Sequence, residues 1–254
     1  MKFTYSSYAD LVRILTENDF TIANYHNCNE FKNVALLRHD VDTDLTKALE
    51  FAELEYSLGV TSAYFILLSS NFYNVFSKKS QDIIYRIQNL GHAVGLHFDE
   101  TKYPINNKDE FEMYARSELS LFNKIIKGGD NSLSMHRPST LALDSNFDFG
   151  DAINSYSQKF FTEYKYLSDS RMNWQEDVFS IIQSKAYDKL HILTHPFWYQ
   201  KTEMSMKDIL EQYLSRKNDE MYYELGQNIR ALDEIIPEQP RDFRFIMGEG
   251  GVGK

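Results

Sequence analysis

Short apolar runs rich in β-branched and aromatic residues alternate along this chain with longer segments of periodic polarity. Runs of about four to eight such residues are typical of buried strands. The runs that predict strands cover residues 34–38, 61–68, 93–96, 132–135, 160–167 and 190–194. Because strands that alternate with helices form parallel βαβ units, the pattern predicts an α/β fold.

The longer segments carry their apolar residues on one helical face. In residues 44–58, Leu45, Ala48, Leu49 and Ala52 stand at positions i, i+3, i+4 and i+7 of a helix. Similar patterns cover residues 82–90, 110–127 and 204–236, and the last of these predicts one or two packed helices. A glycine follows each of the first three segments, where the C-terminus of a helix is expected.

Polar residues suited to catalysis follow five of the predicted strands directly. These residues are Asp40 and Asp42, His97 and Asp99, His136 and Arg137, Asp169 and Arg171, and His195. In a β/α barrel the C-terminal ends of the strands converge on one mouth, whereas an open doubly wound sheet spreads them along a crevice. The convergence of so many polar residues at one end therefore favours the barrel.

The charge and cysteine content narrow the classes of partner. A net charge of −10 argues against nucleic acid and anionic membrane surfaces as partners. The single cysteine, Cys28, excludes an intrachain disulfide and a Cys-rich zinc site, and we expect it to be buried. The sequence shows no signal-peptide pattern and no apolar run of membrane-spanning length, which predicts a cytoplasmic protein.

The carboxylates and histidines at the strand ends have the chemistry of a metal site. Asp40 and Asp42 are two residues apart, so an extended strand would project both to the same side. Two neighbouring carboxylates repel, and a cation relieves that repulsion: one can ligate a metal while the other acts as a base. His97 and His136 end their own strands, and histidine with carboxylate suits zinc or another divalent transition metal. A helix N-cap is the alternative role for the pair, but Asp44 can fill that role.

The remaining histidines differ in the roles that the sequence predicts for them. His195 precedes Pro196, and there a general-acid role and a structural role stay equally open. His92 follows a glycine turn at the opposite end of its strand, which predicts a structural role. His39 alternates in direction with Asp40, so its role is ambiguous.

Five motifs stand in order along the chain. They are Arg38-His39-Asp40-Val41-Asp42, Gly91-His92-Ala93-Val94-Gly95-Leu96-His97, His136-Arg137-Pro138-Ser139, Ser168-Asp169-Ser170 and Leu193-Thr194-His195-Pro196. Together they resemble the polysaccharide deacetylases, carbohydrate esterase family four, in the branch whose first motif reads His-Asp-Val-Asp. The resemblance spans roughly residues 34 to 200. It implies a distorted (β/α)7-type barrel in one domain, which removes N-acetyl groups from amino sugars with a divalent metal, zinc being the first candidate.

The resemblance also implies roles for single residues. Asp40 matches the catalytic base of the family, and Asp42 matches a metal ligand. His97 matches a second ligand, and His195 matches the catalytic acid. With this resemblance, residues 1–240 are predicted to form the barrel with its N- and C-terminal helices, and residues 241–254 a Gly-rich tail.

Two positions depart from the family pattern. The family has a second metal histidine four residues after the first, where this chain has Thr101. His136 is therefore our candidate for the third ligand. The third motif of the family begins with arginine where this chain has His136, and Arg137 follows one position later.

The expected substrate is a saccharide, or a nucleotide-linked or lipid-linked sugar precursor in the cytoplasm. The residues predicted to bind or orient it are Arg137, Asp169, Trp174 and Trp198, with Arg171 and Tyr199 as further candidates. Two alternatives stay open: a hydrolase of another non-peptide C–N bond, and a degenerate barrel that binds a saccharide without hydrolysing it. The absence of the second histidine favours the degenerate barrel.

The C-terminus contains Gly-x-x-x-x-Gly-Lys, part of a phosphate-binding loop, at residues 248–254. No Ser or Thr and no helix follow it, so neither a magnesium ligand nor a helix N-terminus is supplied. A Gly-rich tail is therefore preferred over the front piece of a longer nucleotide-hydrolysing protein, and no nucleotide binding is predicted.

Overall fold

The computed structural model describes residues 1–144 and 146–236. The chain divides into two compact units, Met1–Thr202 and a C-terminal unit that begins at Glu203. The first unit is the α/β barrel and contains every described strand. The Gly-rich segment 241–254 lies outside the described residues, so its predicted role stays a prediction, as do the predicted domain boundaries.

The barrel is one curled sheet of parallel strands, which confirms the predicted distorted (β/α)7-type architecture. The strands run in the order β6-β5-β4-β3-β2-β8-β7, with β1 also paired to β2. Their bounds are β1 Thr21–Ala23, β2 Val34–Val41, β3 Ala63–Ile66, β4 Ala93–Phe98, β5 Ser132–Met135, β6 Ile153–Asn154, β7 Lys165–Ser168 and β8 Lys189–Thr194.

Helices connect the strands. In the barrel unit they are α1 Tyr5–Glu17, α2 Leu45–Ser57, α3 Lys78–Asn89, α4 Lys108–Ile125, α5 Thr140–Asp144, α6 Gln158–Thr162 and α7 Val178–Ser184. The C-terminal unit contains α8 Met206–Asn228 and α9 Leu232–Ile235. Asp44 caps α2 by accepting a hydrogen bond from the Thr46 N–H, as the sequence predicted.

Strand β2 lies in the interior of the sheet, between β3 and β8, and it positions the first motif. All eight of its residues are buried. It pairs with β1 along its first half, with β3 along its second half and with β8 through most of its length. The register sets Arg38 beside Leu193 of β8, and Asp40 beside Phe65 of β3. The charged end of β2 therefore lies inside the sheet.

Strand β4 approaches β5 closely at Gly95. A Cβ atom added there would lie 2.8 Å from the backbone oxygen of Ser132 and 2.8 Å from the Phe65 ring. Only glycine allows this contact without a shift of the neighbouring strand. The contact brings His97, at the end of β4, next to the end of β5.

The strand prediction for residues 160–167 was wrong in part. Residues 160–167 were expected to form a single strand, but helix α6 occupies the first residues of that range and β7 begins only at Lys165. A short aromatic run has no periodicity that distinguishes a helix from a strand.

Cys28, His92 and His39 all lie in the interior of the barrel unit. Cys28 is buried, as expected. His92 is structural, because it lies buried and its ring contacts the backbone nitrogen of Ser62 and the backbone oxygen of Ala52. The ambiguous His39 points away from Asp42, toward Glu55 at 2.9 Å.

Candidate metal centre

The C-terminal ends of the strands surround a cavity of about 840 Å³. Its lining includes the ends of β2, β4, β5 and β8 and the loops that follow them. This volume lies within the range of small-ligand sites, about 300–1,000 Å³. The predicted polar residues Asp40, Asp42, His97, His136 and His195 all line this cavity.

Asp42, His97 and His136 form a compact cluster at the mouth of the barrel. One candidate ligand atom from each residue lies within 4.8 Å of the others. Oδ1 of Asp42 is 3.1 Å from Nε2 of His97 and 3.3 Å from Nδ1 of His136. The two histidine nitrogens are 3.2 Å apart. The structure thus brings together the three residues that the sequence predicted as ligands.

The cluster fits a divalent cation. Oδ1 of Asp42 is buried but has no hydrogen-bond partner among the described residues. A buried carboxylate oxygen without a partner is costly, and a cation between it and the imidazole nitrogens would satisfy it. One carboxylate and two imidazoles form the mixed donor set that zinc and similar metals accept, with a position left open for water or substrate.

Ser134 holds His97 in the orientation that a ligand needs. The Ser134 hydroxyl lies 2.5 Å from Nδ1 of His97. With Nδ1 engaged, Nε2 is left to face Asp42. A hydrogen bond to the second ring nitrogen commonly fixes the orientation of metal-ligating histidines. Burial raises the pKa of Asp42, but the contacts from His136 and His97 outweigh it and hold that pKa well below its usual value.

Asp40 is paired with a fully buried arginine. Nε of Arg38 donates to Oδ1 of Asp40 at 2.9 Å, and Nη2 donates to Oδ2 at 2.7 Å. Burial alone would raise the pKa of Asp40, but the charges of Arg38 and His97 lower it below its ordinary value. Asp40 is therefore anionic at neutral pH. Its Oδ2 lies 3.7 Å from Nε2 of His97, beside the cluster.

Arg38 in turn lies between aromatic rings. Its guanidinium carbon is 4.7 Å from the centroid of the Tyr156 ring and 5.4 Å from that of Phe65. A guanidinium over aromatic faces is stabilised electrostatically, which helps a charged side chain to remain inside the barrel. The result is a fixed cation beneath the candidate base.

His195 is oriented by Asp169. Nδ1 of His195 lies 2.6 Å from Oδ1 of Asp169, and the backbone N–H of His195 donates to Oδ2 at 3.0 Å. Burial lowers the pKa of His195, but the adjacent Asp169 carboxylate raises it to about 9. Nε2 then faces the cluster, 3.9 Å from Oδ2 of Asp42.

The predicted substrate-binding residues divide into two groups. Arg137 and Trp198 line the cavity, whereas Asp169 and Trp174 are not among its lining residues. Asp169 is fully buried and forms a hydrogen bond with His195, so it can position that histidine but is not exposed to bind a sugar. Trp174 packs against the core cluster that contains α1 and α7. Thr101 donates its hydroxyl hydrogen to Asp99 and is not part of the cluster.

Arg38 and Ser134 belong to the site although the sequence pattern did not predict them. Arg38 stands two residues before Asp40 on the same strand, so its side chain projects to the same face. That i, i+2 spacing was a signal that could have identified it. Ser134 stands two residues before His136, but its pairing with His97 depends on the register between β4 and β5, which no local pattern reveals.

No protein-family model matches the chain, and no curated protein matches it in sequence. Among solved structures, the chain is similar to a CE4-family pseudoenzyme from Bacillus anthracis, at 16% identity over 74% of this chain, with a TM-score of 0.41. The chain spans 62% of the length of that protein. The function therefore has to be inferred from the site itself.

Two further solved structures are similar to the chain. One is the chitin deacetylase from Colletotrichum lindemuthianum, at 15% identity over 79% of this chain and 87% of that chain, with a TM-score of 0.38. The other is a polysaccharide deacetylase from Bordetella bronchiseptica described as involved in O-antigen biosynthesis. It is 13% identical over 89% of this chain and 93% of that chain, with a TM-score of 0.40.

Within the part of the chain that the structure describes, none of the helices combines the length and apolar character that crossing a bilayer requires.

Proposed function

We propose that this chain is a metal-dependent hydrolase that removes an N-acetyl group from an amino sugar. The observation that carries the proposal is the cluster of Asp42, His97 and His136 at the mouth of the barrel. An anionic carboxylate, Asp40, and an imidazole of raised pKa, His195, flank it in the same cavity. Ligands, base and acid are the set that metal-assisted amide hydrolysis needs.

The side chains have distinct roles in the proposed reaction. Asp40, held anionic by Arg38, accepts a proton from the water that attacks the acetyl carbonyl carbon. His195, held by Asp169, donates a proton from Nε2 to the amide nitrogen as the C–N bond breaks. The products are acetic acid, which ionises to acetate and protonates the released amine, and the proton gained by Asp40 balances the proton lost by His195.

Asp42, His97 and His136 would hold the cation. When bound, a divalent cation supplies Lewis acidity that lowers the pKa of water and stabilises the charge that develops on the carbonyl oxygen. We propose zinc as the first candidate, since two imidazoles and a carboxylate are ligands that it accepts. The substrate is proposed to be a saccharide or a cytoplasmic sugar precursor, whose ring Trp198 can contact from the cavity wall.

Acetate release from N-acetylated glucosamine oligomers tests the proposal. We expect release by zinc-loaded protein and none after chelation. Asp40→Asn should reduce turnover about 100-fold or more while zinc remains bound, because the substitution removes a base and no ligand. Asp42→Asn should lose both zinc and turnover.

Glu53→Gln, on the exposed surface, is the matched control that changes one carboxylate outside the cavity. Turnover that survives in Asp40→Asn would remove Asp40 as the base. Turnover that is indifferent to chelation would reject the metal-dependent hydrolase altogether.

The two alternatives predict different results in the same experiments. A hydrolase of another C–N bond would bind zinc and release no acetate. A saccharide-binding barrel that does not hydrolyse would bind the oligomer without needing zinc. His136 lies close to Asp42 and can supply the third ligand in place of the histidine that is absent at position 101. Because the ligand set is then complete, we prefer the hydrolase.

A further inference from the structure

Three basic side chains line the cavity of a strongly acidic protein. They are Lys102, Arg137 and Arg171. Among the side chains of residues 1–143 and 146–236, neither arginine has a partner for an ion pair within 4.0 Å or for a side-chain hydrogen bond. Because the chain as a whole carries a net charge of −10, basic side chains concentrated in one cavity point to a ligand of opposite charge.

The acidic groups of the site do not neutralise these cations. Asp40 is already paired with Arg38, and Asp169 with His195. Asp42 faces the histidines of the candidate metal site, and Asp99 accepts hydrogen bonds from the backbone N–H and the hydroxyl of Thr101. A cation bound there would offset the charge of Asp42 and leave the three basic side chains of the lining available to an anion.

Arg137 and Arg171 also have an unusual backbone conformation. Their φ angles are 49° and 59°, in the left-handed region that favours glycine. Arg137 stands two residues after the end of β5, and Arg171 lies in the short 3-10 turn Ser170–Met172 that follows β7. A side chain with a Cβ is strained in this region. Glycine would be less strained at both positions, as it would at four other described residues, Met172 among them.

Aromatic rings stand in the same cavity. Trp198 and the half-exposed Phe72 are among its lining residues, together with Tyr156. Aromatic faces suit the apolar face of a sugar ring, whereas guanidinium groups pair with phosphate and carboxylate through two parallel hydrogen bonds. The aromatic and basic residues together fit a ligand that has both a sugar ring and an anionic group.

We propose that the substrate is an acylated amino sugar that carries an oxyanion group, phosphate or carboxylate, which Arg137 and Arg171 bind while Lys102 adds positive charge. This inference deepens the proposed function and rests on it for the identity of the reaction. The anion-binding part is independent of turnover, so the two can fail separately.

Calorimetric titration of the zinc-loaded protein tests the binding step. The ligands are N-acetylglucosamine, N-acetylglucosamine 1-phosphate and N-acetylmuramic acid, which are neutral, phosphate-bearing and carboxylate-bearing. We expect at least one charged sugar to bind about tenfold or more tightly than the neutral one, because hydrogen bonds to charged groups are among the strongest in proteins. The preference should fall as salt is raised. The better of the two charged sugars identifies the anion.

Glycine substitutions separate anion binding from a structural role. Arg137→Gly and Arg171→Gly should each reduce the preference for the charged sugar about tenfold. Their unfolding midpoints should stay the same or rise, because glycine adopts positive φ without strain. Lys185→Gly is the matched control: Lys185 has φ 52°, is basic and lies outside the cavity. It should leave the preference unchanged.

Equal binding of charged and neutral sugars, or a preference that survives both arginine substitutions, would overturn the inference. Acetate release from neutral oligomers without any charge preference would leave the hydrolase standing and reject only the anionic substrate. A charge preference without acetate release would support the anion site and reject the hydrolase.

Discussion

Replacement of the Glu55 carboxylate is expected to destabilise the barrel. It lies fully buried on α2, behind the strand that carries Asp40. Its carboxylate accepts hydrogen bonds from the hydroxyls of Tyr8, Ser62 and Tyr64 at 2.5, 2.6 and 2.7 Å, and lies 2.9 Å from Nε2 of His39. One side chain therefore joins α1, α2, β2 and the start of β3.

The size of the expected loss of stability follows from the pKa of Glu55. Burial raises that pKa, but the charge and hydrogen bond of His39 outweigh it, together with His92 and Ser62, and lower the pKa from 4.5 to about 2. A carboxyl group whose pKa falls by this amount on folding contributes about 3 kcal/mol to the free energy of unfolding at neutral pH. Because the folded pKa is the lower one, the contribution is complete above pH 4.5 and disappears as the pH falls through about 2.

Urea denaturation of the wild type and Glu55→Gln at pH 7 and pH 2.5 measures this contribution. The wild type should be the more stable at pH 7 by about 3 kcal/mol or more, and the difference should shrink at pH 2.5. Glu118→Gln is the control, because burial raises the pKa of that carboxyl. The stability difference for Glu118 should change with pH in the opposite direction. A Glu55 difference that is constant from pH 7 to 2.5 would refute the reasoning.

Two further substitutions test the barrel and its site. Ser134→Ala removes the partner of His97 and should weaken zinc binding about 10- to 100-fold in calorimetric titration. Ser132→Ala, on the same strand, is the control and should not weaken it. Equal zinc affinities of the two variants would contradict the orienting role of Ser134. Gly95→Ala forces a Cβ against β5 and should lower the free energy of unfolding, measured in urea, by about 1–3 kcal/mol. The control Gly226→Ala, in α8, should be neutral or stabilising. An unchanged urea midpoint for Gly95→Ala would contradict the close approach of β4 and β5.

The sequence predicted the fold class because β-rich apolar runs and helical periodicity alternate so regularly. It placed the end of β2 too early, at residue 38, whereas the strand continues through Val41. Charged residues normally end a buried strand. Here Arg38 and Asp40 neutralise each other, and His39 is paired with Glu55, which lies on the next helix. Partners of that kind depend on the tertiary fold and are invisible in a local pattern.

The candidate site was predictable where residues lie at strand ends, and less so where they lie beneath them. Asp42, His97 and His136 could be grouped because parallel strands end at a common edge. Trp174 was expected near the substrate because it follows the fourth motif. The chain turns after Ser168–Asp169, however, and packs that ring, partly buried, against the core. The direction in which a loop residue points is set by packing, which the sequence does not display.

Metal content measured by elemental analysis, with zinc affinity from calorimetry, tests the central claim most directly. We predict one divalent ion per chain in the wild type and in Thr101→Ala, and loss of zinc binding in Asp42→Ala and His136→Ala. A wild-type protein that binds no divalent ion, or a His136→Ala protein that binds zinc as tightly as the wild type, would contradict the proposed metal centre.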